Sequence, residues 1–415
     1  MTRDEADAAL LFNMRRLSLE MGMLTGLTVG FGTSNHYDSF YVGLKREVKK
    51  TPGGFEPARR EITGNTVYDL ASLTKLFTLV SVLQLIERGK LAFEDSLGQV
   101  DRRFQSLDRC TVLDCLSYRA KLRTPERIDA QPDAKSARRM VFLCEVVGDD
   151  GGKRYSDINA LVLKYLVETV SGRGFYAYLA ENVLKPLGMR ETWVRVPQER
   201  VNDLMDYNYE HRVLDGQYQV CDRALPGLPH DPKARVLGDG GRELSGHAGL
   251  FSTQGDLCRF AQGLLSGALL KPDTVLSIGV NRTGYLTCAG DYRQFLGLLC
   301  FSKSPVARLS ELPSFMGLRS FALAGYTGNH LAIDPELGIF DLILGNRCHN
   351  RVSRVMPAED AQKLGLAPDG SGLVRWPDGR MVKSSYQYIY QKDAMLHAPV
   401  RDCLLARGWL RKEVQ

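Results

Sequence analysis

Ser72-Leu73-Thr74-Lys75 is the stretch whose residue types and spacing come nearest to a reaction. A serine hydroxyl is a poor nucleophile near neutral pH because it holds its proton tightly. A lysine three residues along a helix lies one turn away on the same face. It can help take that proton once burial or a neighbouring cation lowers its pKa. A helix start adds unpaired N–H groups and a positive dipole end, which favour developing negative charge. The S-x-x-K pattern is common by chance, so it needs companions.

Tyr155-Ser156-Asp157, followed by Asn159, is the first companion. A tyrosine beside an ammonium group has its pKa lowered and can shuttle a proton to or from a nucleophile. The plainer reading is a helix cap, with Ser156 or Asp157 opening a helix at Ile158. The two are compatible, since a helix start also fixes the direction of Tyr155. His230, Asp231, Asp239 and His247 are metal-ligand types in one irregular stretch. They follow no recognised ligand spacing, so turn formation is the better reading and no metal or cofactor is expected.

The elements that must hold these groups follow from periodicity. Residues 4–20 read as a helix. Residues 24–32 and 39–45 read as strands joined through Ser34-Asn35, and 50–57 as a Pro/Gly loop. Residues 66–70 lead into the Ser72 helix, which is apolar on nearly every face and stops at Gly89. The pattern from 91 to 197 is mostly helical, with clear helices at 158–170 and 175–183. Residues 197–245 read as irregular. A helix at 253–265 is followed by strand signals at 294–301, 320–326, 330–334 and 339–344. A hairpin follows around Pro377-Asp378-Gly379, and residues 385–411 read as helical with a break at Pro399. Strands, then helices, then strands suit an α+β fold. Its antiparallel sheet is flanked by helices and interrupted by a mostly helical insertion. The expected division is a sheet domain from 1–80 and 240–415, with 81–239 inserted.

The 415 residues carry 54 basic and 48 acidic side chains, a net charge of +6 that is mild for this length. Hydrophobic residues make up 44%, enough for a large core. The nearest thing to a basic cluster, Lys45, Arg46, Lys49 and Lys50, lacks interleaved aromatics, so nucleic-acid binding has no support. Nine dispersed cysteines, none in C-x-x-C, point to reduced thiols. Asp4, Glu5 and Asp7 stand where a secretory signal wants basic residues, and no apolar run has membrane-spanning length. A soluble, cytoplasmic protein without a membrane partner is expected. Nothing here indicates an oligomeric state.

As a set, the motifs resemble the serine hydrolases typified by class C β-lactamases, DD-peptidases and related esterases. Tyr68 to Lys75 resembles the nucleophile segment, and Tyr155-Ser156-Asp157 stands where the family has Y-x-N or Y-S-D. Lys185-Pro186-Leu187-Gly188-Met189 with Thr192 resembles P-L-G-M-x-x-T. Gly246 to Thr253 resembles G-x-A-G-L-x-S-T, followed here by Asp256-Leu257 and Phe260. Tyr326-Thr327-Gly328 and Ile333-Asp334-Pro335-Glu336 resemble the strand pair after the third motif. These matches span about residues 66–346. The resemblance implies a β-lactamase/transpeptidase-like fold and an acyl-enzyme mechanism. Ser72 would be the nucleophile, Lys75 its activating partner and Tyr155 the proton shuttle. The backbone N–H groups of Ser72 and of Tyr326, on the facing strand, would form the oxyanion hole. Asp157, Gly325 and His247 would lie in the substrate pocket; apart from the resemblance, His330 could reach it from a late strand, and both histidines read better as structural than as catalytic.

Two departures matter. Where the family has K-T-G or H-T-G, this chain has Leu323-Ala324-Gly325, losing the basic residue and the hydroxyl that help anchor a substrate carboxylate. Asp157 replaces an Asn, adding negative charge that should raise the pKa of Lys75. The expectation is therefore a hydrolase of neutral esters or amides with weak or no lactamase activity. A cell-wall-peptide hydrolase and a non-catalytic binding protein on the same scaffold are the alternatives.

Overall fold

The computed structural model describes residues 1–148, 153–222 and 226–411. The chain starts with helix α1 (Arg3–Arg15), opened by a Thr2–Glu5 capping box and extended by a π-turn over Arg16–Glu20. Three antiparallel strands follow: β1 (Gly26–Thr33), β2 (Tyr37–Thr51) and β3 (Gly54–Glu61). The 50–57 region is therefore a hairpin joined at Pro52-Gly53, not a loop. Its strands are half-exposed and rich in Arg, Lys and Glu, so no apolar alternation marks them. Lys45, Arg46, Lys49 and Lys50 lie on β2 and pair with Asp203, Asp206, Glu56 and Asp222.

Short strand β4 (Val67–Asp69) leads through a 3-10 turn at Ala71–Leu73 into α2 (Thr74–Glu87). Residues 74–85 of α2 are buried without a break, as its all-round apolar pattern predicts. α2 packs against α3 (Asp157–Ser171), which Ser156 caps by accepting from Ile158 N at 3.2 Å and left-handed Gly172 ends.

The 197–245 stretch is not irregular throughout. It folds into β5 (Glu210–Leu214), β6 (Gln217–Cys221) and α4 (Pro232–Leu237). Asp215 and Gly216 both have positive φ, the Asp-Gly hairpin signature, and Asp231-Pro232 opens α4 as cap and first residue. β7 (Phe251–Thr253) pairs with β4, and Thr253 caps α5 (Gln254–Leu265).

The late strands are β8 (Phe301–Ser302), β9 (Phe321–Ala324), β10 (His330–Asp334) and β11 (Ile339–Gly345). The signal at 294–301 shrinks to a bridge between Leu296 and Phe301 and the two residues of β8. Together they complete a seven-stranded sheet ordered β8-β9-β10-β11-β1-β2-β3, antiparallel at every pairing. Successive residues of β1 show the layering. A Cβ at Gly30 would meet Cys258 and Gln254 of α5, while Phe31 meets Trp409, just beyond the last helix, α6 (Ala398–Ala406). Helices thus cover both faces of an α+β sheet. Pro399 does not break the helix as expected: Tyr388–Lys392, a π-turn over Asp393–His397 and α6 run on without a gap.

Between β11 and α6, strand Val352–Met356 pairs in parallel with β5. With the Leu373–Arg375/Met381–Lys383 hairpin it forms a second small core around Val213, Val355, Val374 and Trp376. The segment after Arg347 thus holds β5 in place.

Candidate active site

The turn that presents Ser72 is held from three sides. Buried Asp69 accepts from Ala71 N through Oδ1 at 2.9 Å and from His230 N through Oδ2 at 2.6 Å. Its backbone carbonyl accepts from Thr327 Oγ1 at 3.1 Å and Asn329 Nδ2 at 2.8 Å. These bonds hold Ala71 at φ +47°, a left-handed conformation costly for a residue with a Cβ. Burial raises the Asp69 carboxyl above its usual range despite the N–H bonds it accepts.

Lys75 is completely buried one turn on. Its Nζ reaches Ser72 Oγ at 2.8 Å, the His247 carbonyl at 3.2 Å and Asp157 Oδ1 at 2.8 Å, so three protons meet three acceptors. It also lies 5.0 Å from the centroid of the Tyr155 ring. Burial disfavours its charge, but Asp157, helped by Tyr155, reverses the balance and holds the ammonium above its ordinary value. The Tyr155 ring stacks on Phe301 at 5.3 Å, and its buried hydroxyl has no hydrogen-bond partner among the described residues.

Asp157 carries a second cation. Its Oδ2 lies 2.8 Å from Lys233 Nζ on α4. Burial opposes its charge, yet Lys75, His247 and Lys233 hold the carboxyl well below the usual carboxylate range. Asp231 caps α4, stands 3.0 Å from His247 Nε2 and lies 3.9 Å from Lys233. His247 Nδ1 meets Ser245 Oγ at 3.1 Å. Of the four ligand-type residues in this stretch, Asp231 and His247 meet each other, and lysine ammonium groups balance the carboxylates.

The opposite wall is the turn after β9. A Cβ on Gly325 would stand 2.8 Å from the Leu70 carbonyl oxygen, so the turn and the Ser72 segment touch backbone to backbone. Tyr326 lies in this turn, not on a strand, because β9 ends at Ala324. Leu323 is buried, and the cations at this turn come from elsewhere: Arg212 and Arg347 lie 5.6 and 5.4 Å from the centroid of the Tyr326 ring. The Tyr326 hydroxyl donates to Glu210 Oε1 at 2.7 Å. Glu210, fully buried on β5, also accepts from Ser353 and pairs with Arg212 at 2.6 Å and His230 at 3.2 Å. Burial opposes its charge, but His230 and Arg212 depress its pKa strongly.

A cavity of about 650 Å³ opens over these groups, lined by Ser72, Tyr155, Asp157, Lys233 and Tyr326, with Arg127, Lys153, Arg212 and Arg354 around it. Three pocket expectations need correction. His247 does not line the cavity; it is buried behind Asp231 and offers Lys75 its carbonyl. Gly325 also stays off the cavity surface, since its close approach to Leu70 buries it. His330 does not reach the cavity either, because its Nε2 donates to the Glu311 carbonyl at 2.7 Å. Lys233, Glu210 and Asn329 were not singled out by sequence. Asp231-Pro232 was the available signal for Lys233, since it marks a helix start beside it.

A family model described as Beta-lactamase matches residues 45–364. A curated relative from Escherichia coli (strain K12), named "Putative D-alanyl-D-alanine carboxypeptidase", is 25% identical over 386 residues, covering 87% of this chain and 83% of its own length. Among solved structures, Simvastatin Synthase (LOVD) from Aspergillus Terreus, LovD6 mutant, superposes with a TM-score of 0.63 at 16% identity, covering 97% of this chain and 98% of that one. A class C beta-lactamase gives a TM-score of 0.60 at 16% identity, covering 82% and 91%.

Proposed function

The chain belongs to the Beta-lactamase family and is a serine hydrolase; from that premise we propose that it acts on ester or amide substrates through an acyl-enzyme on Ser72. The observation that carries this reading is the 2.8 Å contact from Lys75 Nζ to Ser72 Oγ inside a cavity large enough for a small substrate. Lys75 in its neutral form accepts the Ser72 proton as Oγ bonds to the substrate carbonyl carbon. The oxyanion is received by the Ser72 and Tyr326 N–H groups. The bond to the leaving oxygen or nitrogen then breaks, and Tyr155, whose hydroxyl has no competing partner among the described residues, delivers the proton. Water repeats the sequence in reverse and frees Ser72. Each oxyanion donor is worth about 3–4 kcal/mol of barrier.

The apolar pair Leu323-Ala324 lacks the basic residue and hydroxyl that the family uses at that position, which favours esters over β-lactams, while Arg127, Lys153, Arg212, Lys233 and Arg354 keep the cavity basic. The relative named for D-alanyl-D-alanine carboxypeptidase activity favours a second reading, hydrolysis of cell-wall peptides. Seven of the nine cysteines are buried as free thiols, which supports a reducing, cytoplasmic setting. The test is steady-state turnover of short-chain aryl esters, a chromogenic cephalosporin and a D-alanyl-D-alanine peptide, each against Ser72→Ala. Ester turnover should lead and Ser72→Ala should lose at least about a thousandfold. Cephalosporin or peptide turnover exceeding ester turnover overturns the preference.

A further inference from the structure

We infer that Lys233 is a positioning residue of this site: its ammonium takes the second oxygen of Asp157 and offsets part of the charge that this carboxylate imposes on Lys75. The inference rests on the acyl-enzyme reading of Ser72 and extends it to the replacement of Asn by Asp at 157.

A neutral amide at position 157 would leave Lys75 without a neighbouring anion. A carboxylate there stabilises the ammonium and works against its use as a base. The geometry supplies the remedy. Asp157 is bridged symmetrically, with Lys75 at 2.8 Å on Oδ1 and Lys233 at 2.8 Å on Oδ2. The Lys233 charge repels the Lys75 ammonium across the shared carboxylate and so opposes part of the anion's pull. Helix stability does not account for Lys233. It is the second residue of α4, beside the positive end of the helix dipole, where a cation is disfavoured. Its side chain is also mostly buried at 29% exposure, which disfavours its charge, and it is the contact with Asp157, helped by Asp231, that outweighs this and raises its pKa. A residue that breaks a local rule twice and touches the key carboxylate is placed for the site.

Other groups in the network are accounted for. Asp231 lies 3.9 Å from Lys233 but is paired to His247 at 3.0 Å. His247 offers Lys75 only its carbonyl. Tyr155 faces Lys75 on one side and Lys153, 5.4 Å from the ring centroid, on the other. Asp129 near α4 is paired to Arg127 at 2.6 Å. Tyr118 packs on Tyr155 and senses Asp157. Lys233 is the cation on the second Asp157 oxygen.

The experiment is the pH profile of kcat/KM on an aryl ester for wild type, Lys233→Met, Lys233→Arg and the double variant Asp157→Asn/Lys233→Met. Folding is checked by thermal melting, and Ser72 competence by fluorophosphonate labelling. Losing the Lys233 charge makes Lys75 hold its proton more tightly and moves the acidic limb upward, by about one pH unit, or about tenfold in rate on that limb. Lys233→Arg and the double variant should both return the limb toward wild type, because each restores the balance of charge. A Lys233→Met variant that labels and folds but loses rate evenly at every pH overturns the inference. So does a double variant whose limb stays displaced. Wild-type protein that fails to label at Ser72 would instead sink the acyl-enzyme reading itself.

Discussion

The three protons of Lys75 and the unpartnered hydroxyl of Tyr155 divide the chemistry between an ammonium at rest and a phenol ready for the substrate. Because Asp157 holds Lys75 above its ordinary pKa, the free amine is scarce at neutrality. kcat/KM on a neutral ester should therefore climb as pH rises past 7, and a profile flat from pH 6 to 9 would contradict this. Tyr155→Phe separates catalysis from stability. The hydroxyl it removes makes no hydrogen bond among the described residues, so melting temperature should hold or rise while kcat falls about 10²–10⁴-fold. Parallel melting and steady-state measurements check both halves. Ser72, Lys75, Tyr155 and Asp157 were legible because each belongs to a short motif whose members sit one helical turn, or one cap, apart. Lys233 and Glu210 were not, since a lone lysine after a proline and a lone glutamate in a polar run gain meaning only when folding brings their partners to them.

At the scale of elements, the site depends on two backbones held in contact, the Ser72 turn and the turn after β9. Gly325 permits the approach, and Asn329 bolts it by donating to the Asp69 carbonyl and accepting from Gly345 N at 3.1 Å. Gly325→Ala places a methyl group 2.8 Å from a backbone oxygen that cannot swing away, so the turn must shift. The expected result is a loss of about 10²–10³-fold in kcat with smaller change in KM, and about 1–3 kcal/mol of stability by denaturant melts. A variant with normal kcat would mean that the turn does not set the oxyanion geometry. The long apolar elements, α2, α3, α5 and β9 to β11, were readable because their periodicity is strong. The exposed hairpins, β2-β3 and β5-β6, were not, because their side chains are polar on both faces and only Pro52-Gly53 and Asp215-Gly216 betrayed them. The end of β9 was misjudged by two residues, since Gly325 and Tyr326 continue the apolar run while the backbone already turns.

At the scale of the molecule, buried ionisable groups tie the fold to pH. His211 lies in the small core that supports β5, and burial lowers its pKa to about 4. His330 and His349 are lowered for the same reason. Their folded pKa values lie below the unfolded value of about 6.5, so the unfolded chain binds more protons between the two. Stability from these groups is full above about pH 6.5 and is lost as pH falls; His211 alone accounts for about 3 kcal/mol by pH 4. Glu210, depressed from 4.5, adds a second loss below about pH 4.5. Melting temperature should fall in two stages on acidification, the first reduced in His211→Phe; a midpoint constant from pH 7 to 4 would contradict this. The fall matters to function because β5 carries Glu210, which holds Tyr326. The whole arrangement, sheet, inserted helices and C-terminal support, serves to place one alcohol beside one amine at the floor of a cavity. The most direct test is intact-protein mass spectrometry after rapid mixing with a slowly deacylating aryl ester, followed by peptide mapping. A single acyl adduct on the peptide bearing Ser72, absent from Ser72→Ala, is the result expected. No adduct, or an adduct elsewhere while Ser72→Ala still turns over ester, would contradict the account.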